Sequence, residues 1–145
     1  MAIRTRYDDV SPYTTKDGST IRELMHPEVH GNRRQSLAEA TLPPGAATRT
    51  HIHRWSEEIY HFISGNGRMI LGEERFAVIG GDTVCIPRGT PHRLENIGTV
   101  PLRLFCCCAP AYAHEDTDLL GGDADSSGES FDPGAADGSG RTRKE

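Results

Sequence analysis

Four residues have the types and spacing to hold a divalent metal ion: His51, His53, Glu58 and His92. His51 and His53 stand two apart in a segment that reads as a strand, so both imidazoles leave the same face. Their Cα atoms are then about 6.5–7 Å apart, a span across which two rings converge on one ion. Glu58 has the opposite parity on a continuous strand, and a bend within Arg54-Trp55-Ser56-Glu57 re-aims it. His92 comes from a second hairpin and supplies a third nitrogen. Three imidazoles and one carboxylate suit divalent Fe, Mn, Ni, Co or Zn rather than Ca or Mg, which want oxygen shells. A six-coordinate ion on these ligands keeps positions open for water, substrate or dioxygen, whereas a structural zinc site is four-coordinate and closed.

The elements that must position these side chains read as strands. SLAEATL (36–42) stops at Pro43-Pro44-Gly45, and residues 47–53 alternate through the two histidines. EIYHFI (58–63) is rich in β-branched and aromatic residues and ends at Ser64-Gly65-Asn66-Gly67, which reads as a hairpin turn answered by RMILG (68–72). RFAVI (75–79), TVCI (83–86), HRLEN (92–96) and PLRLFCCC (101–108) follow, separated by glycine and proline turns. About eight short strands at this spacing predict an all-β sandwich or small barrel. The polar residues 1–34 read as an irregular arm, with a short strand or helical turn around Ile21 to Met25. Residues 35–112 form the barrel, 113–120 a short extension, and the glycine-rich 121–145 a disordered tail.

The chain has 145 residues, with 16 Lys and Arg against 21 Asp and Glu. One domain is expected, and this mildly acidic balance argues against nucleic acid or an anionic membrane as partner. No apolar run approaches the roughly 20 residues that span a bilayer, and the N-terminus lacks a secretory apolar core, so a cytoplasmic location is expected. Cys106, Cys107 and Cys108 are adjacent; neighbouring Cα atoms are about 3.8 Å apart, below the roughly 4.4–6.8 Å of a disulfide. With Cys85 they read as small buried residues in a reduced compartment.

Two segments carry a family resemblance. GAATRTHIHRWSEEIYHFISG (45–65) has glycine, five residues, His-x-His, four residues, Glu, six residues and glycine. GDTVCIPRGTPHRLEN (81–96) has glycine, five residues, Pro-x-Gly, two residues, His, three residues and Asn. Both resemble the cupin motifs, and fifteen residues separate Gly65 from Gly81, the short spacing of small bacterial cupins. The resemblance covers residues 36–108 and implies a double-stranded β-helix barrel with a metal inside one end. It implies His51, His53, Glu58 and His92 as ligands of one divalent transition metal, and Asn96 as a motif residue that need not bind it. Only Glu58, not Glu57, keeps six residues before Gly65. The closing Cys-Cys-Cys-Ala-Pro-Ala-Tyr also resembles small cupins termed sugar-isomerase-like, a label that rests on fold.

Alternation extends the site. Arg49 shares parity with His51 and His53 and is a candidate to hold an anionic substrate group, or else pairs with Glu57 or Glu95. Tyr60 and Phe62 follow Glu58 inward, Tyr60 with a hydroxyl for substrate or a proton, while His61 faces out. Leu94 and Asn96 follow His92. The strand 36–42 is ambiguous: if its Leu37, Glu39 and Thr41 face looks inward, Glu39 is a candidate general base. Cys106 and Cys108 share a face opposite to Cys107.

Three functions fit these residues. One is a metal-dependent isomerase, cyclase or lyase acting on a small polar or anionic substrate. The second is an Fe(II)-dependent dioxygenase, and the third a non-catalytic metal-dependent binding protein. The intact ligand set favours an enzyme. A homodimer is expected, because a barrel this short leaves strand edges that need covering.

Overall fold

The computed structural model describes residues 1–14 and 20–120, so the reading of 121–145 as a tail lies outside the described residues. Among the described residues, eleven strands build two antiparallel sheets. They are β1 (Tyr13–Thr14), β2 (Thr20–Met25), β3 (Ser36–Leu42), β4 (His51–His53), β5 (Glu57–Ser64) and β6 (Asn66–Leu71). The rest are β7 (Glu74–Ile79), β8 (Thr83–Ile86), β9 (His92–Asn96), β10 (Leu102–Ala109) and β11 (Thr117–Leu119). One sheet runs β1-β2-β3-β10-β5-β8 and the other β11-β4-β9-β6-β7. The fold is an all-β double-stranded β-helix barrel. The one α-helix among the described residues is the single turn α1 (Pro27–His30), and no helix is long and apolar enough to cross a membrane.

Alternation sets which face of each strand is buried. Along β5, Glu58, Tyr60 and Phe62 are buried while Glu57, Ile59 and His61 are exposed. Along β10, Leu102, Leu104, Cys106 and Cys108 are buried in the same way. Ile21, Leu42, Phe62, Met69, Leu94, Leu102 and Leu104 make the apolar core between the sheets. Each such side chain contributes about 1.5–3 kcal/mol by leaving water.

One sequence expectation about connectivity is corrected. Gly65 does not turn a hairpin: β5 and β6 lie in different sheets, and the chain crosses between them at that residue. Gly65 has φ 102°, and a Cβ there would stand 2.8 Å from the Pro101 carbonyl oxygen and 2.9 Å from Leu102 Cα. Only glycine fits so tight a crossing. The tight hairpin is the next one, β6 to β7, where Leu71 pairs with Glu74.

Within the N-terminal 34 residues, the short element expected around Ile21 to Met25 is the strand β2. The strand β2 pairs with β3 over Thr20–Glu23 in unbroken register, and Ile21 is fully buried in the core. The C-terminal extension likewise supplies β11, which pairs with β4 and places Thr117 opposite His53.

Candidate metal centre

The strands β4, β5 and β9 bring His51, His53, Glu58 and His92 together, with one ligand atom from each lying within 4.8 Å of the others. All four are at most 3% exposed. His51 pairs directly with His92 across β4 and β9, which sets their ring centroids 4.1 Å apart.

Each imidazole is anchored by its far nitrogen. His51 Nδ1 donates to the Arg49 carbonyl at 2.7 Å, and His92 Nδ1 donates to the Thr90 carbonyl at 3.0 Å. A carbonyl only accepts, so Nδ1 carries the proton and the neutral ring presents a lone pair at Nε2. His53 Nδ1 lies 3.0 Å from the Thr117 hydroxyl, which in turn donates to the Ala113 carbonyl. The hydroxyl proton being committed there, Thr117 accepts from His53. All three Nε2 atoms therefore converge as lone pairs, and those of His51 and His92 are buried with no hydrogen-bond partner. A buried acceptor left so is costly. The residues present fit a divalent cation, which removes that cost.

Electrostatics agree with this arrangement. Burial, reinforced by the neighbouring His92, pushes His51 down to about 3, so its ring is neutral near neutral pH. Burial opposes ionisation of Glu58, but the adjoining His53 and His92 rings outweigh it and hold the carboxyl well below the usual carboxylate range. Its Oε1 lies 3.2 Å from His53 Nε2 and 3.4 Å from His92 Nε2. The other oxygen, Oε2, accepts from the Cys108 thiol at 3.1 Å.

The expected bend between His53 and Glu58 is present, and its anchor is a residue that sequence reasoning missed. The carboxylate of Asp116 accepts from the Trp55 and Ser56 amides at 2.7 and 3.0 Å, and the Asp116 carbonyl accepts from the Arg54 amide. Asp116 is buried and lies beside Thr117. The only available signal was the polar His-Glu-Asp-Thr run after the last strong strand, which carries no spacing that points back to residue 55.

Other candidates sort differently. Tyr60 is buried with its ring centroid 6.2 Å from that of His92, so it walls the cluster. Phe62 and Leu94 belong to the hydrophobic core. Asn96 is corrected as a substrate residue: its amide donates to the Leu42 and Val100 carbonyls, and its oxygen accepts from the Gly98 amide. It locks a turn, with both amide hydrogens committed to backbone carbonyls. Glu39 is corrected as a general base. Ala38, Ala40 and Leu42 form the buried inner face of β3, and Glu39 points to the outer one. There it accepts from Arg103 at 2.8 Å and from the Tyr7 hydroxyl at 2.5 Å.

The parity that placed Arg49 in the site also fails. Thr48 is fully buried and bonded to Leu94, and the next buried position is His51, three residues on. The strand is interrupted at residues 49 and 50, which are both half-buried, so alternation does not carry through Arg49. His61 is exposed beside Thr83.

Comparisons with known proteins place this geometry in a family. The family model described as a cupin domain matches residues 38–108. An uncharacterised protein of Methanocaldococcus jannaschii, MJ1618, is 54% identical over 118 residues, covering 81% of this chain and 94% of its own. The tetracenomycin polyketide synthase protein TcmJ of Streptomyces glaucescens is 28% identical, covering 75% of this chain and 72% of its own. Among solved structures, the Streptomyces nucleoside dehydratase Pac13 superposes with a TM-score of 0.69 at 13% identity, covering 83% of this chain and 92% of its own.

Proposed function

The chain belongs to the cupin family, and from that premise we propose that it is a metal-dependent enzyme of isomerase, cyclase or lyase type acting on a small polar substrate inside the barrel. The observation that carries this reading is the set of three Nδ1-anchored imidazoles whose Nε2 atoms converge with Glu58 Oε1 in a buried cluster. His51, His53, Glu58 and His92 would hold the ion. When bound, a divalent metal supplies Lewis acidity, polarising a carbonyl or hydroxyl oxygen.

The chain's own residues do the rest. The Arg49 and Thr90 carbonyls and the Thr117 hydroxyl fix the rings as neutral donors, so no proton has to leave before binding. The Cys108 thiol occupies Glu58 Oε2 and leaves Oε1 for the cluster. Tyr60 and the near-complete burial of the ligands exclude bulk water, which strengthens every electrostatic contact inside. Two thiols, Cys106 and Cys108, are buried within the barrel, Cys108 in direct contact with a ligand. Oxidisable sulfur at that place suits non-redox chemistry better than dioxygen activation.

The test is elemental analysis of protein purified without added metal, followed by anaerobic loading and exposure to dioxygen. The expected result is one divalent ion per chain, lost in a His51→Ala/His53→Ala double variant and spectroscopically indifferent to dioxygen. Full occupancy in the double variant would overturn the metal centre. Oxygen consumption by the loaded wild type would replace this reading with the dioxygenase.

A further inference from the structure

Residues 5–10 are tied to the barrel by side-chain bonds. The Thr5 hydroxyl donates to the Leu24 carbonyl at 2.7 Å, and the Tyr7 hydroxyl donates to Glu39 on β3. Arg22 of β2 stacks on the Tyr7 ring at 4.0 Å and donates to the Tyr7 and Val10 carbonyls. A single turn over Tyr7–Asp9 closes with the Asp9 amide on the Arg6 carbonyl, and Val10 is buried. The backbone that carries Arg4 and Arg6 is therefore anchored on both strands.

Beside this segment, and reaching His30 at the end of α1, is a cavity of about 350 Å³. It is lined by Arg4, Thr5, Arg6, Asp9, Val10 and His30, and by none of the four metal-cluster residues. The guanidinium groups of Arg4 and Arg6 make no hydrogen bond or ion pair with another described residue. Thr5 has its proton committed to Leu24, and His30 accepts from the His26 amide at 3.0 Å through Nδ1. Glu23, whose charge acts on His30, is not among the lining residues. Two arginines against the single carboxylate of Asp9 make the lining cationic, in a chain whose net charge is -5.

We propose that this cavity is a second binding site, separate from the metal cluster, for a small phosphate monoester that carries hydroxyl groups. Arg4 and Arg6 each present a planar fork of N–H donors that matches phosphate oxygens. The carboxylate of Asp9 only accepts hydrogen bonds, so it pairs with a hydroxyl on the organic part of the ester. The volume suits a ligand of metabolite size, larger than a bare phosphate ion. Inorganic phosphate satisfies the arginines but meets Asp9 as a like charge. A hydroxylated ester brings Asp9 a donor instead, and the cavity prefers it.

The test is titration calorimetry of the full-length protein with glycerol phosphate, inorganic phosphate and glycerol. Wild type is expected to bind glycerol phosphate more tightly than inorganic phosphate, and glycerol not measurably. Arg4→Ala/Arg6→Ala should weaken glycerol phosphate about tenfold or more. Its melting temperature should be unchanged, since both side chains are exposed. Arg75→Ala/Arg88→Ala, which removes the same charge from exposed positions outside the cavity, should match wild type. Asp9→Ala should remove the preference for the ester over inorganic phosphate; a preference kept there overturns the role of Asp9. Protein stripped of metal by a chelator should bind the ester as tightly as untreated protein. No binding by wild type, equal binding of glycerol, or equal losses in the two arginine double variants overturns the site. So does wild-type affinity in Arg4→Ala/Arg6→Ala. Loss of binding on stripping assigns the phosphate to the metal centre and overturns the second site as well.

Discussion

The Cys108 thiol donates a 3.1 Å hydrogen bond to Oε2 of Glu58 from the β10 position that pairs directly with it on β5. Burial and the adjacent Glu58 charge push this thiol well above its ordinary range, so it stays protonated and stays a donor. One carboxylate oxygen is thereby occupied, and the other is left for the imidazole cluster.

Cys108→Ala is expected to keep one metal per chain but weaken its affinity roughly tenfold or more, the usual cost of losing a partner behind a ligand. Cys108→Ser, which restores a donor, should recover most of that loss. Competition with a chromophoric chelator measures both.

The metal-free protein is expected to lose stability on acidification. His51 sits at about 3 when folded against 6.5 for a free ring, because burial disfavours its charged form. The unfolded chain therefore binds the extra proton between those values, and stability present above pH 6.5 declines as pH falls towards 3. Glu58, held below its ordinary 4.5, adds a loss in the same direction at lower pH. Melting temperature measured in chelator should fall steadily below pH 6.5, and more shallowly in His51→Gln. Metal restores stability by binding only the folded state.

Asp116→Ala strips the acceptor from the half-buried Trp55 amide and the buried Ser56 amide. A loss of about 2 kcal/mol in denaturant unfolding is expected, typical of buried donors left unsatisfied. Metal affinity should fall as well, because the released bend is what turns Glu58 towards His53.

Asn96→Ala should destabilise by about 1–3 kcal/mol, since it leaves the buried Leu42 carbonyl without its donor. Metal stoichiometry should be unchanged. Retained stability would show that the turn closes without Asn96.

Arg49→Ala should also retain the metal. His51 is anchored by the backbone carbonyl of residue 49, which alanine supplies equally well. Elemental analysis of the purified variant checks this, and loss of the ion would assign the guanidinium a structural role.

The sequence by itself determined the strand-by-strand alternation, the punctuating glycines and prolines, and the ligand set. These are local or motif-borne: two residues apart on a strand puts His51 and His53 on one face whatever surrounds them. The same rule sent Tyr60 inward and His61 outward on β5, because that strand runs unbroken from Glu57 to Ser64. It failed for Arg49, where a break at residues 49 and 50 resets the parity, since a one-residue slip exchanges the two faces. It could not choose a face for Glu39, because nothing along β3 says which side another strand's Leu104 will cover.

Tertiary structure alone decided which strands pair. That β5 and β6 part company at Gly65 follows from the Pro101–Leu102 backbone pressing on that glycine, a contact spanning more than thirty residues of chain. Long-range pairing likewise drew β2 into the sheet and turned Glu23 inward. It carried Asp116 and Thr117 back to the bend and to His53, and set Cys108 against Glu58. Hydrogen bonds between distant segments leave no period in the chain, so the residues that orient the four candidate metal ligands became visible only once the strands were packed.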